Sequence, residues 1–152
     1  MKRLLLGVGN RLSHDDGAGP AVAEALAESC WQGTDCGTSL ENAGGLVRRV
    51  APDVLVLVDA ARMGLAPGEV RRLPTAAPDR MLASTHGLPL PFVLSQIAAS
   101  AEDVVLIGIE PDDLSWGEGL SAVVSGAVAS LVRTLEEDRW MEIPLLEVRS
   151  AR

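Results

Sequence analysis

The chain has 152 residues, is 47% apolar and carries a net charge of −8, a balance that suits a single domain with a sizeable core. Its basic residues gather no further than the pairs Arg48-Arg49 and Arg71-Arg72, and only 3% of residues are aromatic, so neither a phosphate-binding footprint nor a base-stacking surface is present and no nucleic acid is expected as partner. Apolar runs such as Val54 to Val58 and Val104 to Ile109 fall far short of the ~20 residues a membrane helix needs, and Met1-Lys2-Arg3 leads straight into a strand pattern. A cytoplasmic protein with no membrane insertion and an aliphatic core is therefore expected.

Leu4 to Val8 reads as a buried strand, followed by Gly17, Gly19 and Pro20, which mark a turn into a helix from about Pro20 to Ser29. Cys30 and Cys36 have no matching Cys or His pair and read as reduced thiols. A weak strand is expected over Thr38 to Leu40 and a short helix over Leu46 to Val50, stopped at Pro52. Val54 to Val58 is the plainest strand, a continuous apolar run of the kind found in parallel sheets covered on both faces. Pro67-Gly68 is a turn, and Glu69 to Leu73 alternates as an edge strand that can run antiparallel.

Leu90 to Ala98 suits a helix with Leu90, Leu94 and Ile97 inward, and Val104 to Ile109 another strand. Leu120, Val123, Val124, Ala127, Val128, Leu131 and Leu135 keep helical spacing over four turns. The segment from Trp140 to Arg152 reads as a tail or an added edge element. Alternating strands and helices imply a single-domain α/β three-layer sandwich, a mostly parallel twisted sheet of about five strands with helices on both faces.

In such a sheet the carboxyl ends of the parallel strands share one edge, where ligands bind. Asp15 and Asp16 follow the first strand there, and Asp59 follows Val58. Glu110 ends a third strand at the same edge, and His86 lies in the loop Ser84 to Pro89 before a helix. Two carboxylates and an imidazole suffice to hold a divalent transition metal with positions left open. Either acid of the first pair also suits a helix cap, Asp15 more than Asp16, and His14 reads as a solvated loop residue. Gly7-Val8-Gly9 starts a dinucleotide fingerprint, but Leu12 stands where its third glycine belongs and two acids follow where pyrophosphate would approach. No G-x-S-x-G elbow occurs, and a proton-sharing aspartate dyad would leave His86 without a task.

Gly7-Val8-Gly9-Asn10 with Asp15-Asp16-Gly17-Ala18-Gly19-Pro20, then Val58-Asp59-Ala60 with Met63 to Glu69, then Thr85-His86 and Gly108-Ile109-Glu110-Pro111, together resemble the nickel-iron hydrogenase maturation endopeptidases. The stretch from Asp59 to Glu69 with Thr85-His86 and Pro89-Leu90 is most similar to the branch serving formate-hydrogenlyase-type hydrogenases. The resemblance covers residues 4 to about 135 and leaves the tail, 139–152, uncovered. It implies a protease that trims the C-terminal extension of a nickel-iron hydrogenase large-subunit precursor after nickel insertion. In that family the metal-binding residues correspond to Asp16, Asp59 and His86 here, and the nickel is carried by the substrate, so no permanent cofactor is expected.

His14 stands where relatives often have glycine. Glu41-Asn42-Ala43-Gly44 only loosely echoes a segment that the resemblance associates with substrate choice. On this reading the base is Asp15, Glu110 or neither, and a monomer is expected. The rival readings are a nickel-binding maturation chaperone without hydrolytic activity and a metallopeptidase with resident zinc.

Overall fold

Five β-forming runs pair into one sheet in a computed structural model that describes residues 1–74 and 90–147. They are β1 (Arg3–Gly7), β2 (Gly33–Asp35), β3 (Val54–Ala60), β4 (Val70–Leu73) and β5 (Asp103–Ile109), in the order β2-β1-β3-β5-β4. All neighbours are parallel except β4, which runs antiparallel to β5 at the edge. Central β3 is buried along its whole length, as its unbroken apolar sequence requires.

Among the described residues, the sheet is covered by α1 (Ala18–Ala25), α2 (Gly44–Val50), α3 (Leu90–Ala98) and α4 (Ala122–Glu136). Strand alternation sorts the core into two layers. Leu5, Val54, Val56, Val58, Ile107 and Ile109 pack with Val22 and Leu26 of the α1 segment and Val124, Val128, Leu131 and Leu135 of α4. Leu4, Leu6, Leu55, Leu57 and Leu106 pack on the other face with Val47 of α2 and Leu94 and Ile97 of α3. This is the expected three-layer sandwich. The Leu90 side chain lies outside what is described.

Several boundaries differ from the sequence reading. Helix α1 starts at Ala18, because a 3-10 turn over His14–Gly17 runs directly into it, and it ends by Ala25. Pro20 is tolerated because an N–H in the first turn has no intrahelical partner to lose. Strand β2 lies at Gly33–Asp35 rather than Thr38 to Leu40. A Cβ on Gly33 would sit 2.1 Å from the Ala23 carbonyl oxygen, so glycine lets the strand pass tightly beneath α1. The Thr38 to Leu40 stretch instead leads into a 3-10 turn, Leu40–Ala43. Val123 falls off the buried stripe of α4 and is 46% exposed.

The core is not wholly aliphatic either. Trp31 is fully buried, donates its indole N–H to the Leu135 carbonyl at 2.8 Å and meets Trp140 edge to face at 5.5 Å. The last segment is an added edge element. Arg72 N–H donates to the Pro144 carbonyl and Leu146 N–H to the Arg72 carbonyl, both at 2.8 Å, which covers the outer edge of β4.

Two glycines set how closely α1 approaches the sheet. A Cβ on Gly19 would lie 2.3 Å from the Val58 carbonyl oxygen and 2.4 Å from that of Val8, and one on Gly7 2.2 Å from the Gly19 carbonyl oxygen. Backbone on both sides leaves nothing to yield, so Gly19→Ala is expected to destabilise the fold by about 3 kcal/mol. Thermal melting of the variant checks this, with a drop of roughly 6–12 °C expected.

Candidate active site

The loop after β1 has little conformational choice. Gly9 has φ of +150°, and a Cβ there would fall 1.8 Å from the Asp16 carbonyl oxygen. The chain then folds over itself through Asn10, whose side-chain oxygen accepts from Leu12 N–H at 2.9 Å and whose own N–H donates to Asp16 Oδ2 at 2.8 Å.

Asp15 faces the opposite way. It is completely buried and accepts four hydrogen bonds from the loop that follows β5: Asp112 N–H and Asp113 N–H at 2.9 Å, Ser121 N–H at 2.7 Å and the Ser121 hydroxyl at 2.8 Å. The two loops are zipped further by a parallel bridge between Ser13 and Gly117. His14 N–H donates to the Gly117 carbonyl and Gly117 N–H to the Leu12 carbonyl, both at 2.8 Å, and the Ser13 hydroxyl donates to the Leu114 carbonyl at 2.6 Å. Burial, the largest single influence, pushes the Asp15 carboxyl up, but the donors from Ser121, Asp113 and Asp112 together outweigh it and hold it below its ordinary value.

Neither acid caps α1, whose N-terminus has no side-chain cap. Asp15 is the structural member of the pair, in a role longer-ranged than a cap. Glu110 is also committed to backbone: its Oε1 accepts from Met63 N–H at 2.7 Å and Leu65 N–H at 3.0 Å. It thereby shapes the turn after β3. Asp15 and Glu110, the two carboxylates considered as a base, are thus both engaged with backbone donors.

Asp16 and Asp59 are buried at the carboxyl edge, 6% and 7% exposed. Asp59 lies within β3, opposite Gly108 of β5, and the turn carrying Asp16 packs against β3. By strand alternation Asp59 is on the Leu55 and Leu57 face. His86 lies outside the described residues. Among those described, no three His, Cys, Asp or Glu side chains gather as a metal-binding group. His14 reaches no acid of this edge by a described hydrogen bond; its Nδ1 lies 2.9 Å from the Gly119 carbonyl oxygen.

Sequence reasoning missed Ser121, which joins Asp15 to α4 by accepting from Val124 N–H at 3.4 Å. A serine just before a helical apolar stripe is a cap signal that could have revealed it.

Replacing Asp15 with Asn would exchange an acceptor oxygen for an amide NH2 donor turned toward groups that themselves donate, and Asp15→Asn is expected to cost about 2–4 kcal/mol in urea unfolding near pH 7. Because the folded carboxyl titrates below its ordinary value of 3.8, its contribution is complete above that value and fades as the pH falls through the folded value. The gap between wild type and variant should therefore close below about pH 4, which unfolding curves across that range would measure.

The chain as a whole is similar to known proteins. A family model described as hydrogenase maturation protease matches residues 20–138. The chain is 34% identical over 140 residues to the hydrogenase 3 maturation protease of Escherichia coli strain K12, covering 90% of each. Among solved structures, the endopeptidase HycI from Escherichia coli matches with a TM-score of 0.87 at 32% identity, over 99% of this chain and 100% of that one. The [NiFe] hydrogenase maturation protease HycI from Thermococcus kodakarensis matches with a TM-score of 0.73 at 31% identity, over 91% and 92%. No helix among the described residues is long and apolar enough to cross a membrane. A family match over most of the length, joined to the same fold, makes this chain a member of the hydrogenase maturation proteases and a peptidase.

Proposed function

We propose that this protease removes the C-terminal extension of a nickel-iron hydrogenase large-subunit precursor once nickel is in place, with Asp16, Asp59 and His86 contacting the precursor's own metal. The observation that carries the reading is the pair of shielded carboxylates, Asp16 and Asp59, at the carboxyl edge of adjacent parallel strands. Negative charge concentrated at a dry edge favours a cation. Two carboxylates with one imidazole form a donor set that suits nickel while leaving coordination positions for the substrate.

The protein's share of the chemistry is placement. The turn that presents Asp16 is fixed by Asp15 and Gly9, and the strand end that presents Asp59 is fixed by pairing with Gly108. The substrate's cation polarises the adjacent peptide carbonyl or lowers the pKa of a bound water from ~15.7 toward neutrality. With Asp15 and Glu110 held by backbone donors, the cation itself carries that activation. A nickel-free precursor would offer no cation to the three ligands and would bind weakly. The identity to a hydrogenase 3 maturation protease favours a precursor of that kind.

The decisive experiment incubates substoichiometric protein with nickel-loaded and nickel-free precursor and follows the released peptide by mass spectrometry. Cleavage of the loaded form alone is expected, with Asp16→Asn, Asp59→Asn and His86→Ala leaving it uncut. Normal processing by all three variants would remove the site assignment. A precursor bound but never shortened would leave a chaperone, and stoichiometric zinc in the protein as isolated would indicate a resident metal.

A further inference from the structure

The bridge between Ser13 and Gly117 does more than tie two loops together. Its parallel register sets Leu12 beside Trp116, each one residue ahead of the bridged pair. Both are turned outward: Leu12 is 43% exposed and Trp116 77%. Single exposed apolar side chains are ordinary, but here the bridge puts two at neighbouring register positions on loops that are tied together. A Cβ on Gly117 would sit 2.3 Å from His14 Nε2, Ser115 N–H donates to Asp113 Oδ1 at 2.8 Å, and the buried Asp15 fastens the loop at both ends. The Trp116 ring is thus held in water by a scaffold with little freedom to fold it inward.

We infer that Leu12 and Trp116 form the docking platform for the large-subunit precursor, gripping a segment in which an apolar side chain lies next to a lysine or arginine. This rests on the proposed function, since it is continuity with that cleavage edge that names the occupant: Asp16 lies in the turn that begins one residue after Ser13. The charge of the partner segment follows from the neighbours of Trp116. Asp112, Asp113 and Glu118 are all exposed on the same loop, and hydrogen bonds from Ser115, with a lesser contribution from His14, lower the pKa of Asp113 and favour its ionised form.

An indole face among carboxylates attracts a cationic side chain by both the ring quadrupole and the charges. Tryptophan on a pre-organised loop also loses little entropy on binding and is prominent among residues that dominate interfaces. Docking here would grip the polypeptide beside the turn that carries Asp16, so recognition of the polypeptide and of the nickel are separate contributions.

The test measures cleavage against precursor concentration for wild type, Trp116→Ala, Leu12→Ser, Asp112→Asn with Glu118→Gln, and Met141→Ala as an exposed apolar control on the C-terminal turn, with thermal melting to establish that each is folded. The platform variants should raise the half-saturating precursor concentration by about tenfold or more, and Met141→Ala should behave as wild type. The charge variant should blunt the weakening by salt that wild type shows. Unchanged half-saturation in folded Trp116→Ala and Leu12→Ser would overturn the inference. If wild type binds the precursor without cutting it, the proposed function fails, while direct titration of the same precursor against Trp116→Ala and Leu12→Ser still decides the platform: a wild-type dissociation constant sinks it and a raised one supports it. No measurable binding of precursor by wild type would overturn both.

Discussion

The rim formed by the loops after β1 and β5 depends on one buried carboxylate. Asp15 gathers three backbone N–H groups and a hydroxyl from a loop about a hundred residues downstream, and a fully buried anion is tolerable only when its acceptor sites are filled in this way. Those bonds join the loop after β1 to the loop after β5, across β3. Without them, the turn presenting Asp16 and the loop presenting Trp116 would each be an ordinary surface excursion. Joined, they become one rigid rim.

The paired acids show how local geometry assigns chemistry. Asp15 and Asp16 are consecutive in a 3-10 turn, where successive side chains point about 120° apart. One therefore enters the gap between loops while the other stays near Asn10 at the sheet edge. Composition cannot separate them, since both are aspartates flanked by the same sequence. Burial does not separate them either, because both are shielded. What marks out Asp15 is its set of donors from the loop after β5, and that depends on the fold of residues 112–121.

Much of the architecture was legible in the chain. The unbroken apolar run of β3, the alternating edge strand β4 and the four-turn stripe of α4 each carry a strong periodic signal, and each lies close to where it was expected. Strand β2 did not, since its placement follows from Gly33 passing beneath α1, a tertiary constraint that three residues of weak propensity cannot announce. The burial of Trp31 was equally hidden, because it depends on an acceptor at Leu135 and a ring at Trp140. Asp16 and Asp59 could be named as edge residues because a parallel sheet gathers strand ends in a predictable way. The hydrogen-bond partners of Asp15 and Glu110 could not, because backbone donors leave no residue-type signature.

That asymmetry bears on how the site divides its work. Both acids that would serve as a base in a self-contained hydrolase are turned toward the protein's own backbone, Asp15 to brace the rim and Glu110 to shape the turn at Met63 to Leu65. The remaining pair, Asp16 and Asp59, is shielded at the carboxyl edge, where anionic side chains favour a positive charge nearby. On the proposed function, a substrate that arrives with its own divalent cation would supply that charge at the moment of binding. Selectivity for a finished precursor would then need no separate sensor, because the cation that marks the precursor as finished is also what the acidic edge favours.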